Sequence, residues 1–428
     1  MSKKGDHMDI IGKIGSTVSS VEIPDFNFNH SDINRDEFML KGGLASEGYD
    51  WWWHSFTAHH ATTGEEKAFF IEFFTINPAL GKDEPVLGQL PANKEAGIKP
   101  SYMMVKAGHW GENARQLHKF FGWNSVNIKQ DAPFQISAQN CFLSETRTFG
   151  KIDISEEEAK EHPEWMCSAG RMVWDLTIDK KVTFNVGYGA SWPLREIEAF
   201  QMFWHAEGIK TEFSGKIYLD DEEYIVDKDT CFGYADKNWG KDFTSPWVWL
   251  SSNRIRSKIT GEWLEDTVFD IGGGRPKVGP VALERKLLGA MLYKGETYEY
   301  NFSKFWTLTR TKFKCKEHKD RLTWKVIQET PLSKMETEIT CYKKDMLLVN
   351  YESPDGAHRH DRLWNGGNGF GTVKLYKKSL KVMPDRENKL PKWKWNLVDD
   401  MEVFNVGCEY GEYKLTAEEI KNEGKEDN

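Results

Sequence analysis

The stretch Cys231–Ile255, CFGYADKNWGKDFTSPWVWLSSNRI, crowds a carboxylate, amides and large aromatics together more densely than any other part of the chain. Read as strand, its first half sends Tyr234, Asp236 and Asn238 to one face, and Trp239-Gly240 then turns the chain. Its second half puts Trp247 and Trp249 on one side and Val248 and Leu250 on the other. An acid on a strand is ordinarily a solvated one. The apolar residues flanking Asp236 set it apart and make it the leading candidate for chemistry.

Outward from that stretch the strand pattern repeats. YDWWWHSFT (49–57) and KAFFIEFFT (67–75) read as a hairpin across Thr62-Thr63-Gly64-Glu65. In its first arm Trp51, Trp53 and Ser55 share one face, while Trp52, His54 and Phe56 share the other. Residues 77–101 read as a long loop with the length of a lid, and 114–121, ARQLHKFF, as a short helix. The segment 154–161 opens on Ser155 followed by acids, which is a helix start. From residue 182 onward, short alternating runs separated by turn residues continue to residue 376. No βαβ or solenoid period interrupts them. The expected fold is all-β, with two antiparallel barrel or sandwich units packed side by side, 1–190 and 191–428.

Composition agrees with sheet. The 428 residues include 18 Trp, 14 Tyr and 25 Phe, and aromatic and β-branched runs outnumber alanine-rich helical ones. The net charge of −9, without a long basic run, excludes the electrostatic footprint of a nucleic-acid partner. Six cysteines with no CxxC spacing read as reduced thiols, and neither a secretory leader nor a membrane-length apolar run is present. These features predict a cytoplasmic protein without a membrane span, with peripheral membrane contact and oligomeric state left open.

The remaining signals compete poorly with their plainer readings. Gly272-Gly273-Gly274 runs into Arg275-Pro276, and Gly366-Gly367-Asn368-Gly369 feeds a strand, so neither offers a phosphate the amides of a helix start. Both read as turns or bulges. His358-Arg359-His360 and His59-His60 each lack a third ligand, so no metal and no cofactor is expected. His205, between Trp204 and Glu207, is either a satisfied core histidine or, if it shares a cavity with Asp236, a group that orients the acid or the substrate.

Several of these motifs resemble a known family. Trp192-Pro193, Gly215-Lys216-Ile217-Tyr218, Glu223-Tyr224, Gly233-Tyr234-Ala235-Asp236-Lys237-Asn238-Trp239-Gly240, Phe243, Trp247-Val248-Trp249 and Asn253 are similar to tocopherol cyclases and to the related carotenoid 1,2-hydratases. The shared motif is Tyr-x-Asp/Glu-x-Asn-Trp-Gly. Gly48-Tyr49-Asp50-Trp51-Trp52, Phe73 to Pro78, and Phe269 to Gly274 extend the likeness over residues 45 to 380, with its specific part at 215–255. The resemblance implies two lipocalin-like β domains, the second carrying the motif, and a hydrophobic cavity. It also implies cofactor-free protonation of an isoprenoid C=C bond, with the cation captured by a phenol oxygen or by water. Asp236 stands where the cyclases carry glutamate, as in the hydratases, whereas Lys237 is closer to the cyclases, so the capturing nucleophile stays open.

On that reading the substrate is a prenylated phenol or terpenoid. Asp236, Tyr234 and His205 are the catalytic candidates, and Trp239, Asn238, Trp247, Trp249, Trp204, His54 and Trp53 the substrate-binding ones. Glu198 is the reserve acid. A non-catalytic carrier of a hydrophobic lipid is the second reading, and sugar stacking on tryptophan faces the third. A buried acid separates enzyme from carrier, because a lipid carrier needs one only for a polar head.

Overall fold

The computed structural model describes residues 36–129, 133–184, 199–278, 281–282, 285–357, 359–381 and 392–411. Among these, two large antiparallel sheets dominate and helix is confined to short pieces. The first sheet consists of β1 (Tyr49–His60), β2 (Glu66–Ile76), β3 (Tyr102–His109), β4 (Arg115–Phe121), β5 (Val126–Lys129), β6 (Gln135–Ala138), β7 (Cys141–Ser144), β8 (Arg147–Ile154), β9 (Gly170–Phe184), β10 (Met202–Leu219), β11 (Glu222–Val226) and β12 (Gly233–Gly240). Its spatial order is β4-β3-β2-β1-β11-β10-β9-β8-β7-β6-β5, with β12 paired to both β1 and β10.

The second half of the chain begins with β13 (Trp247–Ser252), β14 (Arg254–Ser257) and β15 (Val268–Gly274), followed by a two-stranded ribbon of β16 (Lys277–Val278) and β17 (Val281–Ala282). It continues with β18 (Lys286–Tyr293), β19 (Glu296–Tyr300), β20 (Arg310–Glu317), β21 (Arg321–Glu329), β22 (Ser333–Tyr342), β23 (Met346–Glu352), β24 (Arg359–Lys381) and β25 (Lys392–Gly411). The second sheet runs β19-β18-β15-β13-β25-β24-β22-β21-β20, with β14 on β25 and β23 on β24.

Both sheets curl: β4 packs back on β8 and β9, and β18 meets β20. Each therefore encloses an apolar interior, the first built around Trp52, Phe56, Phe69 and Trp174, the second around Leu250, Ile271, Trp324 and Val403. A third apolar layer lies between them, where Trp51, Trp53, Phe70 and Trp204 of the first sheet meet Trp247, Trp249, Leu288 and Leu363 of the second. The burial patterns follow. β8, with one face in solvent, alternates exposed and buried at every residue, whereas β3 and β12, covered on both faces, are buried throughout. The expected all-β architecture of two barrel-like units is what the chain adopts.

Four local expectations meet the structure differently. Residues 115–121 are not a helix but β4, because Met103↔Phe121 through His109↔Arg115 draws them into the ladder and buries Leu117 and Phe121. Tertiary pairing there overrides the helix formers of ARQLHKFF. The long loop carries a short helix, α1 (Pro91–Glu95), and its two ends are fastened by Asn77, whose Nδ2 donates to the Pro100 and Pro354 carbonyls at 2.8 and 2.7 Å. Gly272–Gly274 is no turn; it lies within β15, paired across to Lys286–Leu288. The division at residue 190 falls outside the described residues and does not coincide with the sheet boundary. β10, β11 and β12 pair with β9 and β1, so the first sheet runs on to Gly240 and the second starts at Trp247. The helix start at Ser155 is present as α2 (Glu156–Glu161), with the Ser155 hydroxyl accepting from the Glu158 N–H at 3.1 Å.

Candidate functional site

β12 is sandwiched between β1 and β10, and its register decides which side chains meet. Trp53 lies opposite Asp236, Trp51 opposite Asn238, and Trp204 of β10 opposite Asn238. Alternation then sends Tyr234, Asp236 and Asn238 to the face that looks toward the second sheet. Lys237 and Trp239 go to the other.

On the first face Asp236 is held by two donors. Trp204 Nε1 donates to its Oδ2 at 2.7 Å and the Tyr234 hydroxyl to the same oxygen at 3.1 Å. Tyr234 also lies 3.2 Å from Asp270 Oδ2 of β15, and Trp249 Nε1 donates to the Tyr234 oxygen and to Asp270 Oδ1 at 3.1 and 3.2 Å. One phenol thus ties together two carboxyls, one from each sheet. Around them Trp247 Nε1 and Asn365 Nδ2 donate to Glu409, and Lys106 Nζ binds Glu72 at 2.8 Å and the Tyr351 hydroxyl at 3.1 Å.

So many acids in an apolar seam cannot all ionise. Burial pushes the Asp236 carboxyl up to about 8; the Trp204 donor pulls against that shift, and the nearby Glu409 adds to it. Burial likewise raises Glu409 to about 7 and Asp270 well above the usual carboxylate range. Near neutral pH Asp236 is therefore largely protonated. Its Oδ2 is engaged by two donors, while Oδ1 has no partner among the described residues. Trp53 Nε1 and Asn238 Nδ2, on the same face, are likewise buried without a partner. Three unsatisfied polar atoms on neighbouring residues in an otherwise apolar layer form an arrangement suited to a ligand's polar group.

The opposite face of β12 serves the interior of the first barrel. Lys237 forms a buried ion pair with Asp50, its ammonium 3.9 Å from the Trp52 ring centre. Lys180 bridges Asp36 and Glu207, each at 2.8 Å. His205 is opposite Lys237, and His54, opposite Ala235, packs edge-on against Phe213. Burial drives His54 down to about 3, so it is neutral.

Of the predicted residues, the structure thus gathers Asp236, Tyr234, Trp204, Trp249, Trp53 and Asn238 on one face, the last through a hydrogen bond from Tyr49 at 2.7 Å. Trp247 joins them through Glu409. It does not bring His205, His54 or Trp239 to Asp236, because an odd offset along a strand reverses the face; Trp239 stacks on Phe203 instead. Glu198, Trp192 and Pro193 lie outside the described residues, as does His358. Asp270, Glu409 and Glu72 were not singled out from the sequence. Their signal is a lone acid inside an apolar strand, as in KAFFIEFFT and VFDIGGG.

A hollow of about 40 Å³ opens beside Trp204, between Phe200, Met202, Trp247, Gly272 and Leu288. It has room for a few waters, so a larger ligand must part these side chains. Among the described residues no group of three or more His, Cys, Asp or Glu is placed to hold a metal ion, and no helix is long and apolar enough to cross a membrane.

No protein-family model and no curated protein matches the chain. Solved structures similar to it include a protein named as an AttH from Nitrosomonas europaea, at 11% identity and a TM-score of 0.41 over 83% of this chain and 92% of the other. Another is kievitone hydratase from Nectria haematococca, at 11% identity and a TM-score of 0.43 over 89% and 95%.

Proposed function

We propose that the chain is an enzyme in which Asp236 protonates an isoprenoid C=C bond, leading to cyclisation of a prenylated phenol or to hydration or isomerisation of a terpenoid. The observation that carries this is the Asp236 carboxyl itself. Its proton is retained by burial, one oxygen is anchored by Trp204 and Tyr234, and the other is left to face a ligand. An alkene is a weak base, so its proton donor must be kept from losing the proton to water, and desolvation does that. In the step, the O–H bond of Asp236 breaks as the alkene π pair forms a C–H bond, leaving a tertiary cation and a carboxylate. The faces of Trp53, Trp204 and Trp249 stabilise the cation. A phenol or water oxygen then adds to it and returns its proton to Asp236, or, in isomerisation, an adjacent C–H bond breaks to form the new C=C and its proton goes to the Asp236 carboxylate. The cycle is redox-neutral and regenerates the acid.

The test is turnover of a prenylated phenol and of an acyclic terpenoid in D₂O. Deuterium is expected at the protonated carbon. Asp236→Asn should keep the fold and ligand affinity but lose at least about 100-fold in rate, the scale of a general acid, and Asp236→Glu should keep part of it. An unchanged rate in Asp236→Asn would move the proton donor to another acid such as Glu198, and retained binding with no turnover by the parent protein would shift the reading to a lipid carrier.

A further inference from the structure

Outside the cluster around Asp236, Trp263 stands 52% exposed in the loop joining β14 to β15. An exposed indole that is fixed in place offers a rigid apolar face with a polar N–H edge to a ligand. Trp263 is fixed. Its backbone bridges to Arg256, the Leu264 N–H bonds the Ile255 carbonyl at 2.9 Å, and the intervening turn closes through the Ser257 N–H to Glu262 at 2.9 Å. The ring lies 5.6 Å from Phe404, with the guanidinium carbons of Arg254 and Arg256 at 5.9 and 5.6 Å from its centre. Arg254 and Arg256 are two residues apart on one strand and so support the indole from one sheet face.

Two hollows meet at this ring. One, of about 680 Å³, lies between β10 and β14 and is bordered by Phe232, Asn253, Asp229 and Glu265; the other, of about 500 Å³, is bordered by Asn368, Phe370 and Asn405. Trp263 and Arg254 border both, so the indole stands between them with a hollow to either side. Most of the charges of this groove are answered within the protein. Arg254 binds Glu66 at 2.8 Å and Asn405 at 2.6 Å, Arg256 binds Glu402, Lys210 donates to the Glu265 carbonyl at 2.6 Å, Lys228 lies 3.8 Å from Asp229, and Glu212 lies 3.2 Å from Lys181.

This balance selects the ligand class. The larger hollow sets Lys210, Lys228 and Arg254 against Glu212, Asp229 and Glu265, so an anion would meet as many acids as bases, and a hydrocarbon would have to strip water from the charges around it. A neutral polyhydroxylated ring does neither. Its C–H face lies on the indole, while its hydroxyls donate to the remaining lone pairs of the carboxylates and accept from guanidinium N–H groups. We propose that the Trp263 groove is a binding site for a neutral oligosaccharide, running to both sides of the indole. The inference is independent of the catalytic reading.

The experiment is affinity electrophoresis of the full chain through gels containing, one at a time, hydroxyethylcellulose, barley β-glucan, arabinoxylan, galactomannan and soluble starch, followed by calorimetry with hexasaccharides of any that retard it. At least one should retard the protein. Trp263→Ala should abolish the retardation, or weaken binding at least tenfold, with an unchanged melting temperature, while Trp263→Phe should retain part. Asp236→Asn should bind like the parent. The proposal is overturned if none of the five retards the protein, if Trp263→Ala is retarded as strongly as the parent, or if only an anionic polymer such as heparin does so and salt removes the effect.

Discussion

Asp236 sets a pH dependence whose sign follows from its surroundings. Its folded value near 8 exceeds the value of about 3.9 for a carboxyl in an unfolded chain. The folded state therefore binds this proton more tightly. The stabilisation is fully present below about pH 4, is lost as pH rises toward 8, and levels off beyond it. Melting temperature measured from pH 5 to 9 should fall across that window, and Asp236→Asn should flatten the slope, Glu409 and Asp270 contributing what remains. Trp204 works in the other direction, since its N–H stabilises the carboxylate. Trp204→Phe removes that donor, so the alkaline limb of the rate profile should move to higher pH by on the order of one unit, a change a mere loss of packing would not produce.

At the scale of the element, glycine-rich strands explain how so many indoles fit the seam. A Cβ at Gly272 would stand 2.9 Å from the Trp204 ring, one at Gly407 2.2 Å from Trp249, and one at Gly367 2.2 Å from Trp110. These positions sit inside β15, β25 and β24, where the missing side chain is a berth for the ring of another strand. Gly272→Ala is expected to displace the Trp204 indole and loosen its hold on Asp236. The expected outcome is roughly a tenfold loss of rate with a stability change of about 1–3 kcal/mol, read by turnover and by denaturant midpoint. The same glycines were legible in the sequence only as breaks from a regular strand. Which ring each one receives depends on a partner strand tens or hundreds of residues away.

For the whole molecule, the layer between the sheets is as deeply buried as either interior, drawing buried aromatics from both. Hydrogen bonds within it cross the seam from Tyr234 to Asp270, and Trp110 Nε1 donates to Asn365 at 2.8 Å. The two sheets should therefore unfold together. A single denaturant transition, coincident by far-UV dichroism and by limited proteolysis on both sides of residue 243, is expected; two separated midpoints would contradict it. The sequence by itself determined the fold class, because a period of two is written locally in runs such as RTFGKIDI. It likewise determined that Tyr234, Asp236 and Asn238 share a face, since parity along one strand needs no partner. Once β12 runs on through Gly240, the same parity puts Trp239 on the opposite side. The sequence could not determine that His205 also belongs there, because its face depends on the register of β10 against β12, nor that Asp270 and Glu409 complete the acid cluster. Those are contacts between distant strands, 34 residues apart for Asp236 and Asp270, and only the closing of one sheet over the other decides them.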